Sequence, residues 1–86
     1  MTNAFSTKSL DHLKANQVAR VLRVNHSKED AHMARQLEEI GFIAGEKVKV
    51  LNKAFFGGDP MVVRIGASTF ALRKAEAQLI EIGSEH

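Results

Sequence analysis

The chain predicts a mainly β fold: five short strands closing a small, partly open barrel, with one main helix inserted after the first strand. Three observations carry this. Short runs rich in β-branched residues alternate apolar with polar, as in Lys47-Val48-Lys49-Val50 and Met61-Val62-Val63-Arg64-Ile65, the period-two signature of a strand with one buried face. One stretch, with Met33, Leu37 and Ile40, repeats at helical spacing instead. The last apolar run, Leu79-Ile80-Glu81-Ile82, is long enough only to close an edge. Rolling these strands into a barrel removes the edges that a flat sheet would expose.

The first eight residues carry no periodicity and are expected to form a flexible arm. The domain should span 9–82, with 83–86 as a flexible tail. Ser9 reads as the N-cap of a helical turn near 10–14, with Leu10 and Leu13 on one side. Asn16, which tolerates positive φ, is its stop. Gln17–Val24 reads as a strand whose parity conflicts. Val18, Leu22 and Val24 share a face with Arg20 while Ala19 and Val21 point the other way, so a bulge or strong bend is expected. Ser27 should open the main helix, about 28–40, with Asp30 three residues on as the capping-box acid. Gly41 should stop that helix in the left-handed region and Phe42 should fall back on Leu37. Glu38 and Glu39 sit unfavourably at the negative end of the helix dipole.

Ile43-Ala44-Gly45-Glu46 fits a type II turn, with Gly45 where positive φ is needed. The next strand should turn Val48 and Val50 inward and Lys47, Lys49 and Lys53 outward. Phe55-Phe56-Gly57-Gly58-Asp59-Pro60 is a loop. Strands follow over 61–65 and 69–73, joined at Gly66-Ala67-Ser68, then a helical turn near 74–77.

Composition excludes several classes of function. Eighty-six residues, 44% of them hydrophobic, make one domain; a chain of this size buries roughly 60–65% of its unfolded surface. There is no cysteine, so disulfides and thiolate metal sites are out. No apolar run reaches the about 20 residues of a membrane span, and the N-terminal residues lack a signal peptide's apolar stretch; a cytoplasmic location is expected. A net charge of +2 is no reason to invoke nucleic acid.

Several motifs together resemble the FeoA family, the small cytoplasmic component of bacterial ferrous iron transport. They are Leu37-x-x-Ile40-Gly41-Phe42-x-x-Gly45-x-x-Val48-x-Val50, then Gly58-Asp59-Pro60-Met61, then Phe70-Ala71-Leu72-Arg73-Lys74-Ala75-Glu76-Ala77, with Ser9–Lys14 and Gln17–Val21 similar to the family's opening. The resemblance covers about residues 9–82. Ala15-Asn16 stands where Pro-Gly is common and Ala44 where Pro is common; Asn16 and Gly45 keep the backbone shape. The resemblance implies an SH3-like barrel and a non-enzymatic accessory or regulatory protein. Its implied partner is the ferrous iron permease, a membrane protein with a cytosolic G-protein domain, so that the membrane is met only through the partner. The same fold occurs as the C-terminal domain of iron-dependent repressors, which makes a stand-alone SH3-like interaction module the alternative. A proline-binding groove would want surface Tyr and Trp, and the chain has neither.

The residues themselves point away from catalysis. There is no Gly-x-Ser-x-Gly and no phosphate-cradling loop, and Glu38 and Glu39 are adjacent rather than opposed across a cleft. No cofactor is expected. His26, Asp30 and His32 are chemically suited to ferrous iron, but on a helix Asp30 and His32 point about 200° apart, so no metal ligand is expected. Lys47, Lys49, Lys53, Arg64, Arg73 and Lys74 could share a basic face, read first as solvated gatekeepers against edge pairing. Partner contacts are expected on the loop (Phe55, Phe56, Asp59, Pro60), on the helix face ending at Glu38 and Glu39, and at Arg73 and Lys74. Self-association through the aromatic pair is a second use of that loop. Gly41, Phe42 and Gly45 are expected to be structural.

Overall fold

The computed structural model describes residues 8–54 and 57–84. Its elements in chain order are β1 (Lys8–Ser9), a 3-10 turn (Leu10–His12), β2 (Val18–Val24), α1 (Ala31–Glu39), β3 (Lys47–Lys53), β4 (Met61–Ile65), β5 (Ser68–Leu72), α2 (Lys74–Ala77) and β6 (Ile80–Ser84). All pairings are antiparallel, in the order β1-β6-β2-β3-β4-β5. Among the described residues six strands replace the expected five, because Lys8 and Ser9 pair with Ile82 and Glu81. That pairing also moves β6 off the edge: it lies between β1 and β2 and reaches Ser84.

One contiguous core fills the sheet's inner face. Val21, Val48, Val50, Met61, Val63 and Ile80 are almost wholly buried, joined by Leu10 from the 3-10 turn and Phe42 from the α1–β3 connection. Two bulges set what the sheet shows on each side. On β2 the register shifts between Val21 and Arg23, so Ala19, Val21 and Val24 all face the core and Leu22 is left outside. This resolves the parity conflict of that strand. On β3 the shift between Val50 and Asn52 does what alternation alone could not foresee. It turns Lys53 inward, where Nζ donates to the carbonyls of Asp11 and Leu13, both at 2.9 Å. The outward position expected for Lys53 is therefore wrong; the extra residue flips its side. Lys53→Met keeps the stem and removes the donor. Two partly buried carbonyls then lose a charged partner, and stability should fall by about 1–3 kcal/mol, read as a lower urea midpoint with unchanged slope.

The main helix starts later than its cap residues imply. Ser27 and Asp30 do exchange bonds, Asp30 N–H to Ser27 Oγ at 3.1 Å and Ser27 Oγ–H to Asp30 Oδ2 at 3.0 Å. They close a turn ahead of α1, and Asp30 holds the N-cap position of a helix that runs only over Ala31–Glu39. At the other end Phe42 N–H donates to Leu37 O (3.0 Å) and Gly41 N–H to Glu38 O (3.1 Å), the paired bonds of a Schellman stop, with Gly41 at φ +124°. Glu46 N–H then donates to Ile43 O at 3.1 Å with Gly45 at φ +92°, closing the expected turn. Ser9 does not cap the 3-10 turn; its hydroxyl bonds Asp11 Oδ1 instead.

Candidate functional site

The apolar stripe of α1 is wider than the core can use. Ala34 and Leu37 enter the core, while Met33 is half-buried and Ile40, expected inside, is 42% exposed. A helix packed obliquely on a small sheet buries two positions per turn at most, so the stripe's outer edge stays open. That edge faces β5. Met33 and Leu37 from α1, Ile40 at its C-cap, Phe70, Ala71 and Leu72 from β5, and Glu76 from α2 line a groove of about 330 Å³, with Gln36 and Glu39 on its rim. Phe42 supports it from beneath: its ring lies 6.1 Å from that of Phe70, tilted by 53°. The groove has an apolar floor, one amide and two carboxylates. Glu76 is partly committed, since its Oε1 accepts from Arg73 N–H at 2.8 Å. Such a lining suits recognition of an apolar side chain beside a cation.

The expected contact residues divide into two groups. Asp59, Pro60, Arg73 and Lys74 come together where the β3–β4 loop meets the start of α2: Asp59 Oδ1 accepts from Lys74 N–H at 3.0 Å, all four side chains are exposed, and the Asp59–Pro60 peptide is cis. Glu39 joins the groove rim, but Glu38 turns to the β2–α1 connection, where its Oε2 lies 3.1 Å from His26 Nε2. Phe55 and Phe56 lie outside the described residues. Gly41, Phe42 and Gly45 are architectural, as their bonds show. His26, Asp30 and His32 do not converge. His26 faces Glu38 and Asp30 is held by Ser27; among the described residues no three His, Cys, Asp or Glu side chains gather.

The basic face is also rearranged. Lys53 leaves it and Arg73 and Lys74 belong to the α2 junction, whereas Arg20, unassigned on the sequence, joins Lys47, Lys49 and Arg64 through the strand register. The groove itself was missed because Met33, Leu37 and Ile40 were all assigned to the core. The overlooked signal is Ala34, which completes the helix's buried face and leaves the stripe an apolar position to spare.

Comparison with known proteins follows the same lines. The model of the FeoA domain matches residues 8–83. The zinc-complexed FeoA of Stenotrophomonas maltophilia, a prokaryotic SH3 domain protein put forward as a ferrous iron transport activating factor, is 35% identical. The match covers 87% of this chain and 88% of that one, at a TM-score of 0.79. Iron(II) transport protein A of Clostridium thermocellum is 36% identical over 88% of this chain and 44% of that one, at 0.76. A manganese-dependent transcriptional repressor matches at 25% identity and 0.77, over 92% of this chain but 42% of its own. No curated protein sequence matches. Among the described residues no helix is long and apolar enough to cross a membrane. With the family's model spanning nearly the whole chain and a full-length relative at 35% identity, the chain belongs to the FeoA family, small SH3-like proteins of ferrous iron transport.

Proposed function

We propose that the protein is a non-enzymatic, cytoplasmic accessory component of ferrous iron uptake that docks on the cytosolic part of the ferrous iron permease. The observation that supports this most is Ile40, an isoleucine 42% exposed on the lip of an apolar groove in a member of this family. A large aliphatic group held open beside two carboxylates is the anatomy of an interface rather than of a reaction site. Asp59, Pro60, Arg73 and Lys74 extend the contact from the α2 junction, and Glu39 belongs to its rim; Glu38, Phe55 and Phe56 are assigned to the same docking. The manganese-dependent repressor match supports a second reading, an SH3-like module that engages a regulatory protein instead.

Uptake separates the two. Deleting the gene should abolish most ferrous iron accumulation, restored by the gene in trans, and the purified chain should capture the permease's cytosolic part. Normal uptake in the deletion strain favours the regulatory module. Phe55→Ala/Phe56→Ala should leave the domain folded and weaken capture several-fold; full capture by the folded variant removes the loop from the contact.

A further inference from the structure

The outer face of the sheet is cationic, and the register sets its charges opposite one another. Arg20 on β2 stands across from Lys47 on β3, and Lys49 on β3 across from Arg64 on β4. Both pairs precede the bulges, so all four side chains emerge away from the core, and all four are exposed. Like charges directly opposed on neighbouring strands destabilise a sheet. The row through Lys49 and Arg64 is completed by Val18 and Thr69, neither of which offers a carboxylate. Glu81 on β6 is an acid on this face, and Arg23 takes it at 2.8 Å. Leu22, the bulge residue, is 39% exposed and lies along Gly83, the register partner of Arg20; a Cβ on Gly83 would come within 3.3 Å of Leu22 Cδ2. Glycine there lets an apolar side chain lie flat beside the cations.

We propose that this face seats the protein directly on an anionic lipid surface, with Lys49 and Arg64 among phosphate headgroups, Leu22 at the acyl boundary, and Arg20, whose Nη1 donates to Gly45 O at 2.9 Å, and Lys47 flanking them. Sequence alone brought the chain to a membrane only through a partner; the register brings it there by itself. The choice of lipid follows from what accompanies the charge. A protein interface is anchored by aromatic groups in pockets, and single-stranded nucleic acid by aromatic stacking. The face instead carries Val18, Val62, Thr69 and Ala71 between its cations. A cationic surface with one large exposed aliphatic group suits mobile headgroups that rearrange to meet it. The proposal goes beyond permease docking: of the groove residues only Ala71 also borders this face, none of the four cations lines the groove, and vesicles carry no permease, so each can fail separately.

The test is co-sedimentation of the purified protein with vesicles of phosphatidylcholine alone and of phosphatidylcholine mixed with phosphatidylglycerol. Binding is expected only to the mixed vesicles, and should be lost as salt rises from about 0.1 M to about 0.5 M and screening shortens. Lys49→Gln/Arg64→Gln relieves an opposed pair, so it should fold at least as well. It should bind roughly 25-fold more weakly, at about fivefold per cation. Lys28→Gln/Arg35→Gln changes the net charge equally, just ahead of α1 and on its exposed side, and should bind as the parent does. No binding to the mixed vesicles, or equal loss in both variants, overturns the proposal. Poly-glutamate or single-stranded RNA bound as tightly as the mixed vesicles at equal salt also overturns it.

Discussion

Phe42→Ala should cost about 3–5 kcal/mol, a large fraction of the stability of a domain this small. Phe42 has no exposed surface. Its backbone closes the stop of α1 through Leu37 O, and its ring meets Phe70 under the groove. No neighbour is placed to refill the volume, because Gly41 before it is fixed by its positive φ and Leu37 is already in the core. The loss therefore combines transfer, cavity and an aromatic contact. Thermal and urea unfolding should show a midpoint well below that of the parent. Retention of parental stability would mean that Phe42 is not the wedge between helix and sheet.

Ile40→Glu should leave the fold nearly untouched and remove docking. The residue follows the last turn of α1 and is 42% exposed, so the change falls among surface substitutions, usually within about 0.5 kcal/mol. In the groove it replaces an apolar lip with a third carboxylate beside Glu39 and Glu76. A central apolar contact typically contributes more than about 1 kcal/mol to binding, and the added charge increases the loss. Capture of the permease's cytosolic part should fall at least about tenfold, the equivalent of about 1.4 kcal/mol. Ile43→Glu is the matched control: Ile43 is 50% exposed in the adjacent turn and lies outside the groove. Equal capture by the two variants would place the contact elsewhere.

What could be read before folding was local. The helix stop at Gly41–Phe42 and the turn at Gly45 follow from backbone geometry within a few residues, and the structure forms both with the expected bonds. The inward set Val48, Val50, Met61, Val63 and Ile65 follows from alternation between bulges, and the bulge on β2 from alternation failing there. Those motifs also sufficed to place the chain in its family.

What the tertiary structure decided was every contact that joins residues far apart in the chain. Lys53 turned inward because Leu51 is accommodated as an extra residue against β4, a matter of pairing register rather than of the strand's own sequence. β6 became an internal strand because Lys8 and Ser9 cover its free edge. Ile40 came out of the core because Ala34 and Leu37 suffice to seat α1, and helical periodicity names an apolar stripe without saying how much of it a small sheet can bury. Arg20, Lys47, Lys49 and Arg64 became neighbours only when three strands were aligned. The sequence by itself thus determined the turns, the core alternation and the family; the groove and the cationic face exist only because side-chain sidedness depends on register, and register is settled between strands.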